Sequence, residues 1–207
     1  MLPPSYSTYP NVVRDPTDVI GRRIGAFFID YGVAVIIALV VFFAAADRVS
    51  LPSASSAQNY CDRINDASET DDFCIPFDTD ALVYSTGDLL FMFGLPLLYL
   101  FISDAVLTGI TGFSIGKGIV GLRVVRIDDG RLCGFWRSML RWILWSADGQ
   151  PCGVPIVGLI VGLASKGHRR VGDLAARTLV VHHRDVGIVP VVPGLNAPPA
   201  APWGGYP

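Results

Sequence analysis

The chain has 207 residues, of which 51% are hydrophobic and 16% charged, with a mean hydropathy of +0.47. One or two soluble domains would fit that length, but the balance is too apolar for them and points to the membrane class. A net charge of −2 gives no support for a nucleic-acid partner.

Residues 1–20 contain Pro3, Pro4, Tyr6, Tyr9 and Pro10 and read as a disordered cytoplasmic tail. No basic stretch there leads directly into an apolar core and a small-residue cleavage site, so the first apolar run is expected to be retained rather than removed as a signal peptide. Arg22 and Arg23 open that run, which extends from about Ile24 to Ala46 with Asp30 as its sole charge. A helix of about 20 such residues crosses a bilayer. An ionisable group inside a span marks a functional candidate, with a structural counter-charge between helices as the alternative.

Residues 47–86 change character, with Asp47, Asp62, Asp66, Glu69, Asp71, Asp72, Asp78 and Asp80 against only Arg48 and Arg63. The positive-inside rule holds the N-terminus in the cytoplasm through Arg14, Arg22 and Arg23, and puts this acidic loop outside. Cys61 and Cys74 then meet an oxidising space, and a disulfide between them is expected.

A second apolar run, about Leu89 to Leu107, contains Pro96, which a membrane helix accepts as a kink, and Asp104. At a rise of 1.5 Å per residue, Asp104 lies ~5 Å and Asp30 ~9 Å inside the cytoplasmic face. Arg23 and Asp30, seven residues apart, share a helix face. A cluster of Arg23, Asp30 and Asp104 in the inner leaflet is the expectation.

The basic stretch from Gly112 to Arg141 returns the chain to the cytoplasm. Within it, Gly116 to Gly121, with Lys117, reads as an interfacial amphipathic segment. Leu122 to Ile127, followed by Asp128-Asp129-Gly130-Arg131-Leu132, reads as a hairpin around an Asp-Gly turn. Thr178 to Val181 is a candidate third strand beside it. Trp136, Trp142 and Trp145 with Arg137 and Arg141 suggest an interfacial anchor. The third apolar region, Met139 to Ala164, is broken around Asp148 and is read as a re-entrant or tight-hairpin segment, with a single broken crossing as the alternative. Residues 185–207, rich in proline, form a second disordered tail.

Gly112-Phe113-Ser114-Ile115-Gly116 has nucleophile-elbow spacing and Gly116 to Gly121 a dinucleotide-like glycine pattern, but neither has the α/β frame such motifs need. His168, His182 and His183 lack metal-ligand spacing. No enzyme, cofactor or metal is expected. The charges that a membrane makes costly are left as site candidates: Arg23, Asp30, Asp104 and Asp173, with Arg22, Asp148 and Arg141 secondary.

Together these residues resemble the RDD family, small bacterial membrane proteins named for an arginine and two aspartates. The likeness lies in Arg22-Arg23 with Ala26 and Asp30; in Gly116-Lys117, Gly121, Arg123-Val124-Val125 and Asp129-Gly130; in Arg141; and in Arg169-Arg170, Asp173-Leu174-Ala175-Ala176, Thr178 and Val180-Val181. The resemblance implies a triad of Arg23, Asp30 and Asp173. It departs at Gly172, where a histidine often precedes the second aspartate, and at Arg177, where glycine is common. The resulting expectation is an all-α membrane bundle spanning 21–184, with two clear spans, the broken third region and a small cytoplasmic β-hairpin. It would sit multi-pass in the bacterial plasma membrane, with the lipid bilayer and a homo-oligomer or larger membrane complex as partners. Assistance to ion or small-solute transport is the first functional expectation, and a non-catalytic accessory subunit the second.

Overall fold

The computed structural model describes residues 15–67, 72–145, 156–192 and 194–195. Asp148, the tail prolines and tyrosines up to residue 14, and those from residue 196 onward lie outside the described residues. The chain divides into two units, one of 1–26 with 104–207 and one of 27–103.

Among the described residues, two helices are long and apolar enough to cross a membrane. α1 (Ile20–Ala45) and α3 (Thr86–Thr111) each have 26 residues. Only 17% and 11% of their most apolar windows are buried. A soluble core helix would hide that surface, whereas these present Val35, Ile36, Val40, Leu90, Phe91 and Phe93 outward. Such faces suit lipid, where exposed apolar area carries no hydrophobic penalty. α3 starts from a capping box in which the Ser85 hydroxyl and the Asp88 carboxylate satisfy each other's backbone N–H groups. After Pro96 it widens into a π-helical turn over Phe101–Leu107, and it ends where Gly112 takes a left-handed conformation, φ 81°.

The unit of 27–103 has more order than an acidic loop implies. β1 (Asp47–Ser50), β2 (Phe73–Phe77) and β3 (Asp80–Tyr84) form an antiparallel sheet in the order β1-β3-β2, and α2 (Ala54–Asp66) packs on it. Pro76 sits on the edge strand β2, where a missing N–H breaks no central ladder. Cys61 on α2 and Cys74 on β2 are joined by a disulfide, as expected, and both are buried beside Ala81. The Asn65 side chain donates to the Cys74 carbonyl at 3.0 Å and accepts its N–H at 2.9 Å, so it pairs with the strand edge as another strand would. Tyr84 fastens the sheet to α1 through a hydroxyl bond to the Phe42 carbonyl at 3.1 Å and a ring contact with Phe42.

In the other unit, β4 (Leu122–Arg126) pairs antiparallel with β5 (Thr178–His182). The expected hairpin is therefore corrected. Its Asp-Gly turn forms, with Gly130 at φ 68°, but the returning arm makes only a bridge, Val125 to Leu132, and the true partner is the distant candidate strand. Leu122, Val124 and Val180 pack on one side of this ribbon, and Val125, Leu179 and Val181 on the other. With burial on both faces, the apolar choice at successive positions follows. Val19 packs against the first cluster, and Val186 and Leu195 pack against the second, which includes Val192. With two small sheets, the molecule is mostly helical rather than all-α.

α5 (Phe135–Ile143) and α6 (Ile156–Ala164) have nine residues each. At about 1.5 Å per residue neither alone crosses ~30 Å of hydrocarbon. α4 (Ile115–Ile119) and α7 (Val171–Ala176) complete the helices among the described residues, and a 3₁₀ turn follows β5 at His183–Asp185.

Removing the disulfide with Cys61→Ser and Cys74→Ser together should destabilise the unit of 27–103 by about 3 kcal/mol, the value for closing a loop of this length. Thermal unfolding of the solubilised protein with and without reductant would register it: the wild type should lose stability on reduction and the double variant should not respond.

Candidate functional site

Asp173 is the centre of the polar interior. It lies on α7, its side chain only 1% exposed. Arg141 from α5 reaches it with Nη2 at 2.9 Å from Oδ1, and Arg23 from the start of α1 with Nη1 at 3.8 Å from Oδ2. The backbone N–H of Arg170 donates to Oδ2 at 3.2 Å and the Thr178 hydroxyl to Oδ1 at 3.4 Å. Burial alone would push this carboxyl up, but the charges of Arg141, Arg23 and Arg170, with the Arg170 N–H, outweigh it and hold it below the ordinary carboxylate value. Asp173 is thus a fixed anion near neutral pH, suited to holding cations in place rather than to exchanging protons.

Arg23 is tied further. Its guanidinium donates to the carbonyl oxygens of His168 and Val180, linking α1 to the loop before α7 and to β5. Its neighbour Arg22 points elsewhere, donating to the Val120 carbonyl at 3.1 Å and meeting His182 Nε2 at 3.1 Å. The adjacent arginines therefore have different tasks, and the one that meets Asp173 is Arg23.

Asp104 occupies the π-helical turn of α3 and pairs with Lys117 of α4, Oδ1 to Nζ 2.6 Å. Lys117 is largely buried, at 9% side-chain exposure, whereas Asp104 retains 29%. The Ser138 hydroxyl of α5 donates to the Asp104 carbonyl at 2.9 Å, and the Cys133 thiol to that of Thr108 at 3.4 Å, so side chains satisfy backbone groups where the helix widens. Burial pushes the Cys133 thiol up, which makes it an inert packing group. Asp30, on the part of α1 within the other unit, is buried at 3% exposure.

Sequence reasoning missed Lys117 and Arg170 and gave Arg141 a secondary place. α5 held the signal: Arg137, Ser138 and Arg141 fall on one face at helical spacing, opposite Trp136, Leu140 and Ile143. The structure turns the polar face inward and leaves the apolar face exposed, with Trp136 at 80%. Arg141 is therefore an internal group, paired with Asp173 rather than exposed beside Trp136. Arg137 supports α7 from outside, donating to the carbonyls of Ala176 and Arg177 at its C-terminus.

The two departures from the family pattern leave this geometry intact. A side chain at Gly172 would begin 3.0 Å from the Arg141 carbonyl oxygen and 3.2 Å from its Cα, so glycine lets α5 approach closely enough for the ion pair. Arg177 adopts the left-handed conformation, φ 52° and ψ 50°, that glycine takes more easily, and its guanidinium meets Asp128 at 3.0 Å.

Two membrane-length helices joined to a buried ionic hub define a small helical membrane protein. The RDD family matches residues 18–177, and the chain belongs to that family. No curated protein and no solved structure matches it.

Asp173→Asn leaves Arg23 and Arg141 without their buried counter-charge and should cost about 3–5 kcal/mol in denaturant unfolding. Because the folded-state value is depressed, the stabilisation is complete above the unfolded value of about 4 and is lost as pH falls through the folded one. Stability measured against pH should show a limb below about pH 4 that Asp173→Asn lacks. Gly172→Ala gains up to about 1 kcal/mol of helix propensity but crowds the backbone that carries Arg141, at about 1–3 kcal/mol. A net loss of stability is expected in the same unfolding measurement.

Proposed function

We propose that this protein lies multi-pass in the bacterial plasma membrane, N-terminus inside, and assists passage of an ion or small solute as an oligomer. The observation that carries this reading is the Asp104–Lys117 pair. It lies at a π-helical turn of a membrane-length helix, its carboxylate is partly exposed, and each charge has the other as its close partner. Widened turns of this kind recur at functional sites, and ionisable groups within spans mark ion or proton paths. Asp173, doubly clamped, supports the frame. The two long helices found among the described residues cannot by themselves enclose a polar route through lipid, which is why an oligomer belongs to the proposal. The disulfide supports an extracytoplasmic setting for residues 47–86.

An accessory-subunit role is the second reading. It is favoured by the fixed Arg23–Asp173–Arg141 hub and by Phe73 and Phe77, exposed at 45% and 61% on the edge strand β2 as a contact for a larger complex.

Ion flux in proteoliposomes distinguishes the two. The double variant Asp104→Asn with Lys117→Gln removes both charges without leaving either unpaired, so it should assemble normally and lose flux by about tenfold or more, the scale of a lost charge-assisted contact. Unchanged flux in that variant would sink the transport reading, while loss of co-purifying subunits from Phe73→Ser with Phe77→Ser would favour the accessory one.

A further inference from the structure

The charges around Asp173 do not balance. Arg23, Lys117, Arg141 and Arg170 lie among three carboxylates, Asp15, Asp104 and Asp173, which leaves one positive charge in excess; Asp15 acts on Arg23, and both Arg141 and Arg170 lie within electrostatic reach of Asp104 and of Asp173. Burying a surplus of positive charge is costly unless an anion compensates it. Two donors are also left over. Arg23 Nε and Arg141 Nη1 are buried and have no hydrogen-bond partner among the described residues, in side chains only 12% and 10% exposed. Both belong to guanidiniums that converge on one carboxylate. The guanidinium of Arg170 forms no ion pair among the described residues, and its stem runs beside Gly162 of α6.

We propose that Arg23, Arg141 and Arg170 form a binding site for a phosphate-bearing anion, supplied as a phospholipid headgroup or as free phosphate. Guanidinium forks match phosphate oxygens in pairs, and a tetrahedral phosphate offers enough acceptors for donors arriving from three side chains. Its charge of one to two also answers the surplus. The surrounding helices present Ile24, Leu140, Ile143, Leu159 and Leu163 outward, apolar surface on which acyl chains can lie. The site binds and orients an anion; no covalent step is involved, and it holds whether or not the protein carries flux.

The test uses the full chain in phosphate-free maltoside micelles and follows its thermal midpoint. The probes are phosphatidylglycerol, with diacylglycerol as control, and sodium phosphate, with sodium chloride at equal ionic strength. Binding should raise the midpoint by about 5 °C or more at saturating probe. A response to phosphatidylglycerol alone identifies the lipid headgroup, and a response to sodium phosphate as well identifies free phosphate as a ligand. Arg170→Gln, which removes no ion pair found among the described residues, should fold normally and weaken the response about tenfold, and Arg141→Lys, which keeps the charge but loses the fork, should weaken it too. The proposal is overturned by midpoints that no probe moves beyond its control, or by both variants responding as the wild type does.

Discussion

A carboxylate buried among arginines is the constraint on which the 1–26 and 104–207 unit depends. Asp173 has almost no contact with solvent, and a lone anion there would be prohibitively costly. Arg141 and Arg23 make it tolerable, and in doing so each fixes a helix: α5 through Arg141, the start of α1 through Arg23. Arg23 adds main-chain carbonyls in the loop before α7 and in β5. In a membrane protein, where apolar surfaces gain little by meeting one another, such polar contacts specify which elements adjoin.

Glycine and backbone geometry support the same arrangement. Gly172 clears the path for the α5 backbone, and a Cβ on Gly109 would stand 2.7 Å from the Phe135 Cα, so the last turn of α3 also meets α5 at close range. Small residues at helix contacts let ion pairs and hydroxyl bonds form at short distance, as Ser138 does with Asp104. The two carboxylates are treated differently: Asp173 has four partners and little exposure, while Asp104 has one close cation and an opening.

The spans and the disulfide were legible because each rests on a local or strongly patterned signal: a long apolar run, and two cysteines in an acidic stretch. The three-stranded sheet within 47–86 was not. Its strands are four or five residues long, and Pro76 argues against a strand unless the edge position is known. The pairing of β4 with β5 was only half legible, because an Asp-Gly turn indicates a hairpin locally while the stronger partner lies some fifty residues on. Arg141 looked like a surface anchor because tryptophans flank it; only the direction of the α5 polar face, set by packing, reveals it as internal. Lys117 was hidden for the same reason, in a glycine-rich segment that resembles a loop.

The sequence separation within the hub carries a consequence for biosynthesis. A ribosome delivers the chain from its N-terminus, so Arg23 and Arg141 both leave the exit tunnel before the anion that neutralises them. Arg23 waits longer than Arg141, and α5 is too short to cross a bilayer alone. The buried ion pairs therefore close only once Asp173 has emerged, and the seat of α5 in the hub is set late, by one aspartate.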